Sequence, residues 1–249
     1  MKPPPIALIT GAAGGIGETL VHTFGAKGYR VWALDCVAQP DHLVCDRYWQ
    51  VDLDWFVQDE DYRSRQLADL AQAAGTQGLD ALINNAAVQV MGGVDTLTTA
   101  DWHLTLNVNL LAPFLLTQGL LAPLAATGGC VVNISSIHAR LTKPNFVAYA
   151  TSKAALSGMT RAMAVDLGDR VRVNAIEPAA ISTPMLKAGF ESHPEQYAAL
   201  ARCHPQGRMG TPTEVAALAL SLVSGELRFM HGACVGLDGG ISARLHDPS

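Results

Sequence analysis

Tyr149 and Lys153 stand four residues apart in the run YATSK, thirteen residues after Ser136. If this run is helical, the two side chains lie on one face with their Cβ atoms about 5–6 Å apart. A fixed ammonium favours the phenolate and lowers the pKa of a tyrosine from its ordinary value of about 10. We therefore expect Tyr149 to act as an acid and base near neutral pH. The hydroxyl of Ser136, at the end of a buried strand, could hold the same substrate oxygen and polarise it.

A glycine-rich turn near the start of the chain predicts a phosphate-binding site. The apolar run 6–10 ends in the sequence GAAGGIG of residues 11–17, and a helical pattern follows through Ala26. A strand, a glycine turn and a helix start present backbone N–H groups and the positive helix end to an anion. Glycines also simply turn chains, so this signal is weak alone. The candidate contacts are Gly11, Gly15, Ile16 and Gly17.

A second buried strand, 31–34, ends at Asp35, twenty-four residues after Gly11. A carboxylate at that place accepts hydrogen bonds from the adenosine ribose hydroxyls and repels a 2′-phosphate. No Arg or Lys occupies positions 12–17, so the sequence predicts NAD in preference to NADP. A third strand, 48–53, would place Asp52 and Leu53 near the adenine, although Asp52 is equally an ordinary turn residue.

The rest of the chain alternates between helical and strand patterns. We expect a helix at 59–74, a long buried helix at 100–126, a helix through Tyr149 to about Leu167 and a helix at 213–223. We expect strands at 79–83, 130–134, 171–176 and 233–237. This alternation predicts one α/β domain over 1–249, a doubly wound parallel sheet with its ligand outside the carboxyl ends of the strands. The irregular segment 183–210 is predicted to be a mobile flap over that ligand.

Composition excludes several classes of protein. The chain has 249 residues, of which 49% are apolar and 16% charged, and its net charge of -5 comes without any run of Lys or Arg. A nucleic-acid partner is therefore not expected. Prolines and amides interrupt 100–126, which argues against a membrane span. The start does not have the layout of a secretory signal, so we expect a cytoplasmic protein. The five cysteines are widely spread and read as free thiols rather than a metal site or disulfides.

Over essentially its full length the chain is similar to the short-chain dehydrogenase/reductase family. The resemblance is carried by TGAAGGIG at 10–17, Asp35, NNA at 84–86, NVN at 107–109, Ser136, Tyr149 with Lys153, Pro178, TPM at 183–185 and DGG at 238–240. It implies a Rossmann-type parallel sheet of about seven strands with helices on both faces. It also implies a homotetramer or a dimer.

The resemblance implies roles for individual residues. Tyr149 would be the acid and base, and Lys153 would lower its pKa and bind the nicotinamide ribose. Ser136 would orient the substrate oxygen, and Asn109 would hold a water linked to Lys153. The cofactor would also contact Asn85, Ala86, Pro178, Ile181 and Thr183. Ala87 and Ala179 stand where the family usually has glycine, and alanine would be strained there if either position needs a positive φ.

The resemblance implies an NAD-dependent oxidoreductase that transfers hydride between the nicotinamide and a secondary alcohol or ketone carbon of a small molecule. By position, His138, Phe146 and Met185 are the candidate substrate contacts. Two alternatives stay open at this point. One is a catalytically weak NAD-binding regulatory protein, and the other is an epimerase or dehydratase on the same scaffold.

Overall fold

The computed structural model describes residues 3–192 and 194–245. Within them, seven strands form one sheet in the order β3-β2-β1-β4-β5-β6-β7, with every neighbouring pair parallel. The strands are β1 (Ile6–Thr10), β2 (Arg30–Asp35), β3 (Arg47–Gln50), β4 (Ala81–Asn84), β5 (Cys130–Ile134), β6 (Arg172–Pro178) and β7 (Cys234–Leu237). The predicted fold, a single Rossmann-type α/β domain, is confirmed.

Helices cover both faces of the sheet. They are α1 (Gly15–Ala26), α2 (Leu53–Gln58), α3 (Glu60–Ala74), α4 (Thr99–Leu106), α5 (Ala112–Gly119), α6 (Leu121–Thr127), α7 (Val147–Leu167), α8 (Pro184–Ala188), α9 (Pro194–Cys203) and α10 (Pro212–Val223). β1, β4 and β5 are buried along their whole length, as strands covered on both faces must be. One apolar cluster packs under α1 and α10, and another packs under α3, α5 and α7.

The single long helix expected at 100–126 does not form, and several shorter helices take its place. α4 runs into a π-helical turn at Asn107–Leu111, α5 follows, and the chain bends by 63° between Gly119 and Leu121. Pro113 has no N–H to donate to the carbonyl of Asn109, and Pro123 has none for Gly119, so the α-helical ladder breaks at both places. Within the described ranges no single helix is long and apolar enough to cross a membrane, and only this bent pair meets the length and composition requirement.

Two further element predictions need correction. β3 ends at Gln50, and Leu53 begins α2 rather than ending the strand, because Asp52 caps that helix by accepting hydrogen bonds from the N–H groups of Asp54 and Trp55. The segment 183–210 is not irregular throughout, since α8 and α9 lie within it. Both helices begin with a proline, and these prolines made the segment look irregular in the sequence, although a proline is well tolerated at the first position of a helix.

The order of strands reverses between β1 and β4, which is the topological switch point where such sheets bind ligands. The glycine turn after β1, Asp35 of β2, Asn85 after β4 and Ser136 after β5 therefore lie along one edge of the sheet. The fold brings together most of the side chains that the sequence singled out.

Candidate active site

Tyr149 and Ser136 meet at the carboxyl end of β5. Ser136 caps a short 3₁₀ turn, Ile137–Ala139, through its Oγ, which accepts a hydrogen bond from the N–H of His138 at 3.2 Å. Tyr149 lies in the first turn of α7. Burial raises the pKa of Tyr149, and a side-chain hydrogen bond with Ser136 opposes that rise. The two hydroxyls are therefore close enough to share one substrate oxygen.

Lys153 lies one turn further along α7 and is 2% exposed. Its Nζ donates a hydrogen bond to the carbonyl of Ile134 at 2.9 Å and lies 5.7 Å from the centre of the Tyr149 ring. Burial lowers the pKa of Lys153 to about 8. That Lys153 lowers the pKa of Tyr149 stays a prediction. The causes that act on the phenol are burial, which raises its pKa, and Ser136, which lowers it.

Asn109 is fully buried in the π-helical turn. Its Oδ1 accepts from the N–H of Val88 at 2.8 Å, and its Nδ2 donates to the carbonyl of Val88 at 2.9 Å and to Ser152 Oγ at 3.0 Å. The side chain therefore fastens the loop after β4 to α7. Its amide makes these three contacts instead of pointing at Lys153, so the predicted link to that lysine would have to use the backbone of Asn109. Sequence reasoning missed Val88 and Ser152 as its partners.

The glycine turn is built to admit an anion. Gly11 has a φ of 63°, and a Cβ on it would lie 2.7 Å from Ala86 Cα. A Cβ on Gly17 would lie 1.9 Å from the carbonyl oxygen of Gly11, so only glycine fits there. The N-cap residue of α1 is Gly14, which offers no side-chain cap, so a ligand can use the first N–H groups of the helix, at Gly15 and Ile16.

The end of β4 holds this turn in place. The Asn85 side chain donates to the carbonyls of Thr10 at 3.1 Å and Gly11 at 3.0 Å. The backbone N–H groups of Asn85 and Ala86 both donate to Thr10 Oγ1 at 3.0 Å. The role of Asn85 in this geometry is to fix the turn, and Ala86 lies against Gly11.

Asp35 lies beside the glycine turn at the carboxyl end of β2. Its Oδ2 accepts from the N–H of Ala13 at 2.9 Å, and its Oδ1 lies 3.4 Å from the N–H of Val37. A carboxylate accepts about four hydrogen bonds, so acceptor sites stay available for ribose hydroxyls.

Asp52 and Leu53 are less suited to direct side-chain contact with an adenine. Asp52 Oδ1 serves as the cap of α2, accepting from Asp54 at 2.9 Å and Trp55 at 3.2 Å. Leu53 is 6% exposed and its side chain packs in the apolar core. Only the second oxygen of Asp52 and the backbone of both residues are available for the predicted contact.

The chain after β6 passes close to the glycine turn. Pro178 ends β6, and Ile181 forms an isolated parallel bridge with Gly210. Thr183 Oγ1 accepts from the N–H of Leu186 at 3.2 Å, which fixes the start of α8. A Cβ on Gly15 would lie 3.2 Å from Thr183 Cβ, so the predicted nicotinamide and phosphate contacts lie next to each other.

Aromatic residues form one side of the space next to Tyr149. His138 stacks on Phe146 with ring centres 4.5 Å apart and planes 7° apart, and it meets the Tyr149 ring edge-on at 5.7 Å. Lys143 Nζ lies 4.6 Å from the centre of the Phe146 ring. Burial, and secondly Lys143, lower the pKa of His138. The side chain of Met185, the third predicted substrate contact, lies outside the described part of the chain.

The two alanines that replace glycines are not strained. Asn145 is the one non-glycine residue with a positive φ in the described ranges, at 67°. Ala87 and Ala179 therefore adopt ordinary backbone conformations. Asparagine tolerates the left-handed region well, so Asn145 ends the turn before Phe146 at little cost.

Two surface clefts lie away from these residues. One of about 340 Å³ lies between β3 and α3, and one of about 830 Å³ lies between the end of α9 and Ala243. In the part of the chain that the structure covers, no group of three or more His, Cys, Asp or Glu side chains could hold a metal ion. The five cysteines, which we expect to be buried free thiols, are free thiols, but Cys36 and Cys203 are exposed and Cys130 alone among the five is buried.

Comparison with known proteins gives full-length matches. The chain is 36% identical over 253 residues to protein FixR of Bradyrhizobium diazoefficiens, covering 95% of this chain and 86% of that one. It is 32% identical over 251 residues to trans-4-hydroxycyclohexanecarboxylate dehydrogenase of Sinomonas cyclohexanicum, covering 96% and 93%. Both matches span the whole site.

Solved structures agree in fold and differ in cofactor. ElxO with NADP bound superposes with a TM-score of 0.87 at 26% identity, covering 97% of this chain and all of that one. 4-Hydroxyisoleucine dehydrogenase complexed with NADH superposes with a TM-score of 0.86 at 28% identity, again covering 97% and 100%. Structures of this fold therefore hold either dinucleotide.

A family model described as enoyl-(acyl carrier protein) reductase matches residues 11–242. That range begins at the glycine turn and ends after β7, so it includes every residue predicted for the site. The parallel sheet and the full-length relatives point to the same family as the residues of the site. The chain belongs to the short-chain dehydrogenase/reductase family, whose members are nicotinamide-dependent oxidoreductases.

Proposed function

We propose that this protein is an NAD-dependent oxidoreductase that interconverts a secondary alcohol and a ketone on a small molecule, with Tyr149 as acid and base. The observation that carries the proposal is the position of Ser136, Tyr149 and Lys153 at the carboxyl end of β5, on the same edge of the sheet as a glycine turn whose helix has no side-chain cap. We take the substrate segment to be 183–210.

The residues present fit a nicotinamide dinucleotide. The pyrophosphate would lie on the N–H groups of Gly15 and Ile16, where Gly11 and Gly17 leave room. Asp35 would accept hydrogen bonds from the ribose hydroxyls and repel a 2′-phosphate, which favours NAD over NADP. Thr183 and the backbone at Ile181 would hold the carboxamide. When bound there, the cofactor supplies or accepts a hydride at the substrate carbon.

Tyr149 moves the proton in this proposal. In alcohol oxidation its oxygen accepts the hydroxyl proton of the substrate, and in ketone reduction it returns one to the carbonyl oxygen. A proton transfer of this kind contributes about 10²–10⁴-fold to a rate. Ser136 donates a hydrogen bond to the same substrate oxygen, which fixes the carbon that reacts. Holding donor and acceptor at attack distance is worth about 7–11 kcal/mol.

Lys153 acts by its position. Its ammonium, held by the carbonyl of Ile134, lies beside the Tyr149 ring, where it would bind the nicotinamide ribose. A pKa lowered to about 8 means that it can give up a proton near neutral pH more readily than a surface lysine. Lys153 is therefore also suited to return a proton toward Tyr149 through the ribose hydroxyls. The backbone of Asn109 would hold a water on the solvent side of that route.

The substrate space has an aromatic side made by His138 and Phe146. A flat apolar face of this kind favours a compact substrate carbon skeleton over an extended charged one. Relatives named for alcohol substrates, including a cyclohexanecarboxylate dehydrogenase, support a small secondary alcohol.

The test follows NADH absorbance with purified protein and a panel of cyclic alcohols, polyols and the matching ketones, each with NAD(H) and NADP(H). We expect steady turnover on at least one pair, faster with NAD(H). Tight binding of NADH without turnover on any compound would favour a regulatory protein instead. Substrate loss without a net change in NADH would favour an epimerase or dehydratase. A dimer or tetramer stays a prediction of the family resemblance, and a cytoplasmic location stays a prediction from the sequence.

A further inference from the structure

Glu177 is a buried carboxylate that the proposed chemistry does not use. It is 2% exposed and is the penultimate residue of β6, an otherwise apolar strand end. Its Oε1 accepts a hydrogen bond from Ser157 Oγ at 2.8 Å, and its Oε2 lies 2.7 Å from Nη2 of Arg140. An ionised carboxylate is costly to bury unless it is paired, so both partners are needed to keep it there.

The first oxygen of Glu177 is linked to the helix that carries Tyr149 and Lys153. Ser157 donates its one hydroxyl hydrogen to the carboxylate, and its Oγ lies 2.9 Å from Ser135 Oγ. Ser135 Oγ donates to the carbonyl oxygen of Lys153 at 3.0 Å. The carboxylate thereby orients the Ser157 hydroxyl, which lies against the serine that bonds α7 at the end of β5.

The second oxygen of Glu177 holds the turn that carries Ser136. That turn, Ile137–Ala139, is bounded by Ser136 at its start and by Arg140 at its end. The Arg140 side chain is 55% exposed, yet its guanidinium reaches the buried carboxylate. A Cβ on Gly236 of β7 would lie 3.3 Å from Nη2 of Arg140, so the guanidinium lies against β7 as well as β6.

We infer that Glu177 is a positioning residue for the proposed reaction, because its two oxygens hold the Ser136–Arg140 turn against α7. The inference rests on the proposed function of Tyr149 and Ser136. Glu177 contacts neither reacting atom. It sets the separation of the Ser136 and Tyr149 hydroxyls. Its ion pair with Arg140 is the contact that connects it to the turn.

The test compares Glu177→Gln, Arg140→Met and the double variant with wild type. Arg170→Met is the control, since Arg170 is an exposed arginine before the start of β6, at the opposite edge of the sheet, and its guanidinium donates to the carbonyls of Leu167 and Asp166. We expect kcat/KM for the alcohol to fall at least about tenfold in the first three, because small misplacements of reacting groups are costly. The dissociation constant for NADH should stay within about twofold, and the control should keep wild-type kinetics.

Two further readouts separate positioning from loss of stability. The double variant should be no slower than the slower single variant, because both changes break one pair. The limb of the alcohol-oxidation pH profile that rises as Tyr149 loses its proton should move to higher pH, since Ser136 lowers the pKa of Tyr149 and its contact is weakened. The charged or titratable groups that face Tyr149 are Lys153 on its own helix and His138 on the turn, and neither is altered.

Arg140→Lys provides rescue, since it keeps the cation, and we expect it to recover part of the lost kcat/KM. Wild-type turnover with unchanged kcat/KM and pH profile in Glu177→Gln and Arg140→Met would overturn the positioning role and leave the proposed function intact. A wild-type protein without turnover on the whole panel would overturn the proposed function and the positioning role together.

Discussion

Replacing Asp35 with asparagine tests the predicted choice between NAD and NADP. The carboxylate is anchored by the N–H of Ala13 at 2.9 Å, and asparagine can keep that bond through its own oxygen. What the variant loses is the charge facing the ribose and the capacity to accept from both hydroxyls. A hydrogen bond to a charged group is worth about 1.5–3 kcal/mol. That range corresponds to about a tenfold to 150-fold weaker interaction with NAD.

The assay measures kcat/KM and the dissociation constant for NAD and NADP in wild type and Asp35→Asn. We expect NAD affinity to fall within that range and NADP affinity to rise, since the repulsion of the 2′-phosphate is removed. Asp59→Asn is the control, because Asp59 caps α3 through Tyr62 at 2.7 Å and asparagine caps a helix equally well. An unchanged ratio of NAD to NADP affinity in Asp35→Asn would refute the role assigned to this carboxylate.

Three further predictions concern the turn, the serine and the lysine. Gly17→Ala should abolish NADH binding and lower the thermal midpoint, because its Cβ would lie 1.9 Å from the carbonyl oxygen of Gly11. Gly14→Ala is the control and should keep the wild-type midpoint, because its Cβ would lie 3.6 Å from the same oxygen. Equal midpoints for the two variants would contradict the geometry. Ser136→Ala should raise the pH at which alcohol oxidation reaches half its maximum, because Ser136 lowers the pKa of Tyr149; a pH profile like that of wild type would count against this. For Lys153 the folded pKa of about 8 lies below the ordinary 10.5, so between those values the unfolded chain binds the extra proton. Over that window the unfolding free energy of wild type should rise relative to Lys153→Met by up to about 1.4 kcal/mol per pH unit, measured by urea denaturation at several pH values, and parallel curves would refute it.

The sheet could be predicted because its signals are local. The strands β1, β2, β4, β5 and β6 are short, mainly apolar runs that stop at Gly, Asp, Asn, Ser or Pro, and in a parallel sheet all such stops meet at one edge. The helix through Tyr149 and Lys153 was predicted for the same reason. Boundaries were harder, since the cap formed by Asp52 decides where β3 ends and only the folded chain shows which N–H groups it accepts.

The break between α4 and α6 shows what a periodic pattern cannot give. Apolar spacing at 100–126 stays compatible with one helix, and it does not show that Asn109 bonds Val88 and Ser152, which are far apart in the chain. The same holds for Glu177. In the sequence, a glutamate before a proline indicates only a strand end. The contacts with Arg140 and Ser157, which are seen only in the folded chain, identify Glu177 as a member of a buried ion pair.

The electrostatics of the site also lay beyond the sequence. Spacing alone implies that Lys153 acidifies Tyr149, but burial acts on both groups, raising the pKa of the phenol and lowering that of the amine. In a buried site, desolvation and the attraction between neighbouring charges shift a pKa in opposite directions. Which of them is larger depends on how exposed the groups are, and residue spacing does not give that exposure.

The most direct measurement of the central claim is single-turnover hydride transfer in Tyr149→Phe, followed by NADH absorbance, with Tyr62→Phe of α3 as the matched control. We expect Tyr149→Phe to keep its fold and NADH affinity and to lose about 10²-fold or more in rate, because the acid–base group is lost. The control should keep the wild-type rate. A Tyr149→Phe protein that retains more than about a tenth of the wild-type rate would contradict the assignment of Tyr149 as acid and base.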